Sequence, residues 1–183
     1  MASITGLWLP ILLSAVFVFV ASSIVHMVLR YHWTDWSRLP GEDKARAALT
    51  GLPPGNYRMP YCSSMADLKD ETFVGKMKEG PNALVIGLPT GPPTMGKQLV
   101  QWFVYTLAVG VVTAYVASRT MDAGADYLAV FRVAGTVAFL TYAGASPAGS
   151  IWVGMKWSTT LKSLFDGLIY GAVTGGTFGW LWP

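Results

Sequence analysis

A single cysteine, Cys62, is all the chain contains, so an intramolecular disulfide and a CxxC-type metal site are both excluded. Charge is scarce as well. Asp, Glu, Lys and Arg make up 13% of 183 residues, against roughly 25% in a soluble domain. There is no block of like charge, and the net charge is only +3, which excludes a reading as a nucleic-acid-binding protein. The two histidines, six residues apart, do not form HExxH, and no Ser-His-Asp set or paired-carboxylate constellation is apparent. No internal repeat and no low-complexity tract interrupts the chain. Dedicated catalytic machinery is therefore not legible, and the chain reads as a non-enzyme.

What is abundant is apolar. Hydrophobic residues form 52% of the chain, and eight Trp stand beside eight Tyr and eight Phe. A bilayer explains this balance, because spans are apolar and aromatic rings gather at the two interfaces. A span needs about 20 apolar residues. Gly6 to Leu29 and Gln98 to Ser118 carry no charge; Tyr127 to Ser146 carries only Arg132, and Leu164 to Trp182 only Asp166. The expected fold is an all-α membrane protein: a four-helix transmembrane bundle with one cytoplasmic loop region, spans at about 6–29, 98–118, 127–146 and 164–182, and a loop at 30–97. The leader MASITG has no positive charge and the apolar run after it exceeds a signal-peptide core, so the first span reads as uncleaved.

Orientation follows from Lys and Arg. Nine of the thirteen lie between spans one and two, and Lys156 and Lys162 lie between spans three and four. Only Arg119 and Arg132 fall at or near the other side, where the connection carries Asp122 and Asp126. Trp8, Tyr127, Trp180 and Trp182 mark the outer interface, and Trp33, Trp36, Trp102 and Trp157 the inner one. Met1 and the C-terminus are both expected on the non-cytoplasmic side. Within the loop, GEDKARAALTG reads as a short helix. SSMADLKDETFVGKMKEGP reads as a second, with Ser64 as its N-cap and Gly80-Pro81 as its stop. ALVIGL is an edge strand or a segment lying on the membrane.

Gly91 to Lys97 matches the start of a phosphate-binding loop. Pro92 and Pro93 lack the N–H groups that such a loop uses, and Gln98 stands where Ser or Thr would hold magnesium, so no nucleotide is expected. The last span carries Gly167, Gly171, Gly175 and Gly179, each four apart and hence on one helix face, with Ala172 and Gly176 beside them. Such a face lets two membrane helices approach closely. Packing inside the chain's own bundle is favoured over docking against another subunit, and Gly171→Leu should disrupt assembly in either case.

Asp166 is the one acid inside a span and is the candidate ion or proton site. A Lys162–Asp166 pair at i,i+4 is its plainer explanation. Arg132 either snorkels to the outer interface or meets Asp122 or Asp126. His26, with small Ser22 one turn before it, is the candidate haem or chlorophyll ligand. An interfacial histidine bonded to a headgroup or backbone is the favoured account. His32, on a different face if the helix continues, is not expected to share a metal with it, and no metal site or bound cofactor is expected.

LWLPILLSAVFVFVASSIVHMVL, KMKEGP and DGLIYGAVTGGTFGWLWP resemble a group of bacterial membrane proteins known only as hypothetical. The resemblance covers most of the chain. It implies a bacterial inner-membrane protein of this topology and supplies no activity. The function expected is a non-catalytic accessory or assembly subunit of a larger inner-membrane complex, respiratory or photosynthetic. Its partners would be membrane lipid and other integral subunits or a second copy. The alternative is a small oligomeric transporter or channel lined by Thr113, Thr136, Thr141, Tyr142, Tyr170, Thr174 and Thr177.

Overall fold

The computed structural model describes residues 3–183; the expected placement of Met1 lies outside them. In chain order the elements are α1 (Trp8–Ser23), α2 (Glu42–Ala48), β1 (Gly55–Met59), α3 (Glu71–Glu79), β2 (Ala83–Gly87), α4 (Met95–Thr120), α5 (Tyr127–Ala143), a short α6 (Ser146–Ala148) and α7 (Trp157–Trp180). The chain divides into two units, Arg38–Pro93 and the helical remainder.

In the helical unit, α1 opens from a 3-10 turn at Ile4–Leu7 and closes in a π turn at Ile24–Val28. Pro10 sits in the first turn of α1, where its missing N–H leaves no helical bond unmade. Three helical segments are long and apolar enough to cross a membrane: Ile4–Val28, Met95–Thr120 and Tyr127–Val153. The fourth expected span lies in α7, which has the length but not the apolarity, because Thr, Gly, Lys162 and Asp166 lower its hydropathy. The expected loop boundary also shifts. Arg30–Asp35 forms a 3-10 helix that belongs with the long helices.

α5 and α7 form the most extensive helix pair. The glycine face of α7 lies in that contact. A Cβ on Gly171 would stand 2.9 Å from the Gly135 carbonyl oxygen and 3.0 Å from the Phe139 Cβ. On Gly175 it would stand 2.7 Å from the Phe131 oxygen, on Gly179 2.8 Å from the Tyr127 ring, and on Gly167 it would collide with Ala143. Gly135 answers the ladder from α5, so two backbones meet where side chains would hold them apart. At one end of the bundle Leu7, Ala114, Val130, Ala134 and Phe178 form a core. There Trp182 Nε1 donates to the Asp122 oxygen at 2.9 Å, and Gly124 N donates to the Pro183 oxygen at 2.6 Å.

The Arg38–Pro93 unit carries what an all-α reading omits. β1 and β2 pair antiparallel, from Gly55 opposite Gly87 to Met59 opposite Ala83. ALVIG is thus a strand, and part of the extended stretch before Pro60 is its partner. GEDKARAALTG does hold a helix, α2, after Gly41 in the left-handed region at φ 69°. The second helix starts later than expected. Asp70, not Ser64, is its N-cap and accepts from Phe73 N at 2.9 Å, while Gly80 closes it. Ser64 instead binds Asp67, whose carboxylate collects four hydrogen bonds from Ser63 and Ser64. Those bonds, led by the Ser63 hydroxyl, hold the Asp67 carboxyl down at about 2.

Two outcomes follow from this packing. Gly171→Leu should destabilise the helical unit by about 3 kcal/mol or more, at or above the upper end of overpacking costs, while Gly171→Ala should cost less. Thermal unfolding in detergent measures the difference. Asp67 has a depressed folded value, so its contribution is complete above about pH 4. It is lost as pH falls toward 2. A carboxyl NMR titration in the folded protein should place its midpoint well below that of the exposed acids.

Candidate functional site

The site is built where α1 ends and α7 begins. The π turn at Ile24–Val28 carries His26, and the backbone then breaks at Leu29 into an extended conformation. The 3-10 helix Arg30–Asp35 turns back toward α7 and presents Tyr31, His32 and Asp35 to it. His26 and His32, expected on different faces, therefore face each other, with ring centroids 4.6 Å apart. The expectation fails because it extrapolates an α-helix through residue 32, and the helix stops before Leu29.

Asp166, buried on α7, receives both neighbours. The Tyr31 hydroxyl donates to its Oδ1, and His32 Nε2 lies 2.9 Å from its Oδ2. His32 Nδ1 lies 2.7 Å from Asp35 Oδ2, so one imidazole is held between two carboxylates. Lys162 serves Asp35 rather than Asp166. Its Nζ is 2.6 Å from Asp35 Oδ1, 2.6 Å from the Tyr31 carbonyl oxygen and 2.8 Å from Thr34 Oγ1. The expected i,i+4 pair on α7 is thus replaced by a pair 127 residues apart in sequence. A lysine at the end of a buried helix finds its best acceptors on the segment packed over it, not one turn along its own helix.

The electrostatics agree with this geometry. Burial pushes the Asp35 carboxyl up, but the hydrogen bonds from Lys162 and His32 outweigh it and leave the group below the ordinary carboxylate value. Burial, then the hydrogen bond to Asp166, raises the Tyr31 phenol well above its ordinary value, so it stays a donor.

No protein-family model, curated protein or solved structure matches this chain. The site is thus to be read from its own chemistry. One ligand atom from each of His26, His32 and Asp166 lies within 4.8 Å of the other two. Beside them the Tyr170 hydroxyl stands 3.4 Å from His26 Nε2. Tyr170 joins an aromatic cluster with Tyr142 and Trp102. Trp102 Nε1 donates to the Ser22 hydroxyl at 2.8 Å. The small side chain one turn before His26 is therefore engaged by an indole.

The other candidates fall elsewhere. Gly167, Gly171, Gly175 and Gly179 line the α5 contact, although Gly167 directly follows Asp166 and so ties the site to the ladder. Arg132 is exposed on α5. Sequence reasoning missed Tyr31, His32 and Asp35. The available signal was YHWTD itself, a run of weak helix formers just after the apolar span and Arg30.

Removing the Lys162 ammonium should expose which pair matters. Lys162→Met leaves half-buried Asp35 beside a single histidine and should cost about 1–3 kcal/mol, between an exposed and a fully buried pair. A double-mutant cycle by thermal unfolding should show stronger coupling between Lys162 and Asp35 than between Lys162 and Asp166.

Proposed function

We propose that this chain is a non-catalytic accessory or assembly subunit of a larger bacterial inner-membrane complex, respiratory or photosynthetic in kind. In this reading α7 is a fourth span, both termini are non-cytoplasmic, and the polar site marks the cytoplasmic end. Two features support α7 as a span. Lys162 and Asp166, its two charged groups, have partners near one end, and the helix is uncharged from Gly167 to Trp180. The likeness to hypothetical bacterial membrane proteins belongs to the same reading.

The observation that carries it is an open apolar groove between α1 and α7. Val16, Phe17, Val20 and Ile24 line one wall, and Ala172, Val173 and Gly176 the other. The four-residue ladder is used up inside the bundle, but Ala172 and Gly176 beside it stay accessible. Lipid tails are as apolar as these side chains, so a partner helix gains there mainly by fit between small residues and its own surface. A Cβ on Gly176 meets only the Tyr127 hydroxyl, at 3.5 Å, so the groove can be filled without disturbing the fold.

A second reading, a small oligomeric transporter or channel, draws on buried Asp166 and on Thr113 and Thr174, whose buried hydroxyls have no hydrogen-bond partner. Against it, Thr106, Thr141 and Thr177 donate back to their own helices at Phe103, Val137 and Val173.

Extraction of native membranes in mild detergent separates the readings. The wild-type chain should run in a particle with other subunits, and Ala172→Leu with Gly176→Leu should release it as a folded single chain. A wild-type particle containing only this chain would contradict the subunit reading. Cation flux into liposomes that Asp166→Asn abolishes would favour the second.

A further inference from the structure

We propose that His26, His32 and Asp166 form a binding site for a divalent first-row transition-metal ion of borderline softness, zinc or ferrous iron. Two imidazoles and one carboxylate are a donor set such ions take, with a position left open. The set is assembled from distant parts of the chain: His26 on a π turn, His32 on the 3-10 helix, and Asp166 buried on α7.

The surrounding shell supports the ligands as a metal site requires. Ligating histidines almost always give their other ring N–H to a carboxylate or carbonyl, which fixes the tautomer. Here His32 Nδ1 faces Asp35 Oδ2 at 2.7 Å. A proton given to Asp35 leaves His32 Nε2 its lone pair, directed at Asp166 Oδ2 2.9 Å away. Either a proton on Nε2 or a metal ion bridges that contact, and a bound ion would take the place of the proton. Lys162 holds Asp35 from the far side, and the Tyr31 hydroxyl occupies Asp166 Oδ1, which leaves Oδ2 for the ion. Around a tetrahedral ion with bonds of roughly 2.0–2.1 Å, ligand atoms stand about 3.3 Å apart. The three donors lie within 4.8 Å of one another, so closure asks for a shift of about an ångström or so. The exposed His26 ring on its short turn can supply it. The inference is independent of the docking groove, which lies along the α1–α7 wall toward Trp180.

The test uses the full-length protein in detergent, stripped with a chelator and titrated with Zn²⁺ by calorimetry and with Co²⁺ by visible absorption. The expected result is saturable binding of one ion per chain and the visible bands of a low-coordinate cobalt site, with Mg²⁺ giving neither. His26→Gln, His32→Gln and Asp166→Asn should each lower the affinity by more than tenfold. Asp35→Asn, acting through His32, should lower it by about tenfold, the low end for an outer-shell partner. His26→Gln is the decisive variant, since its exposed side chain is not required for folding, and circular dichroism checks that the helices persist. Absence of saturable Zn²⁺ binding to the wild type, or binding that His26→Gln and His32→Gln both leave unchanged, would overturn the assignment. Particle size in the native membrane extract should not differ between wild type and His26→Gln, so failure here is distinguishable from failure of the subunit reading.

Discussion

Everything at the polar end of the helical unit depends on how near α5 and α7 come to each other. Membrane helices gain little from hydrophobic association, because lipid is as apolar as they are; what holds them is van der Waals contact at short range and hydrogen bonding. Gly167, Gly171, Gly175 and Gly179 remove the side chains from one face of α7, and Gly135 does the same at the middle of the opposing face. The Gly171 and Gly135 backbones then touch, and the rotation of α7 about its axis is fixed. Asp166 precedes the first of these glycines. With Gly167 against Ala143, its carboxylate is turned to Tyr31 and His32.

The polar cluster follows from that fixed rotation. A buried carboxylate without partners is costly, and Asp166 escapes the cost because the chain after α1 bends back over it. The bend needs the helix to stop, which the π turn and extended Leu29 accomplish. Lys162, one turn earlier on α7, then ties down the same segment through Tyr31, Thr34 and Asp35. The 3-10 helix is thus held by α7 and not by its own weak propensity. At the opposite end Trp182 and Pro183 close on the α4–α5 connection, so both ends of the helical unit are tied.

The helices were legible because they are long and their chemistry is simple. Three uncharged or nearly uncharged runs gave segments that lie within the three found but for one residue at the end of the first, α2 was marked by its acidic start and Gly stop, and α3 by its Gly stop alone. Residues 164–182, expected as a span from their apolarity, do lie in a helix, α7, but the Gly and Thr residues that allow close packing lower its hydropathy below that of the other three. The packing face was legible from spacing alone, because four glycines four apart have one geometric meaning on a helix. The site was not. Lys162 and Asp166 satisfy the i,i+4 rule, and nothing local in the sequence says that a residue 127 positions away offers the better acceptor. The mutual approach of His26 and His32 was hidden because face assignments hold only while a helix continues. The strand pair was half legible: ALVIG had the character of a strand, but in its partner GNYRM only Tyr57 and Met59 alternate with polar neighbours, too short a pattern among flanking prolines to announce it.

The account rests most directly on the glycine face of α7 being an internal contact. In a Cys62→Ser background the chain has no other thiol, so Phe139→Cys with Gly171→Cys gives a defined pair. A Cβ on Gly171 lies 3.0 Å from that of Phe139, about half an ångström short of the closest separation in a disulfide. Mild oxidation in the native membrane should give a linkage within one chain, seen as a linked peptide on a monomer band. Dimers linked through these two cysteines, or free Gly171→Cys thiols that a lipid-soluble maleimide labels fully, would contradict it.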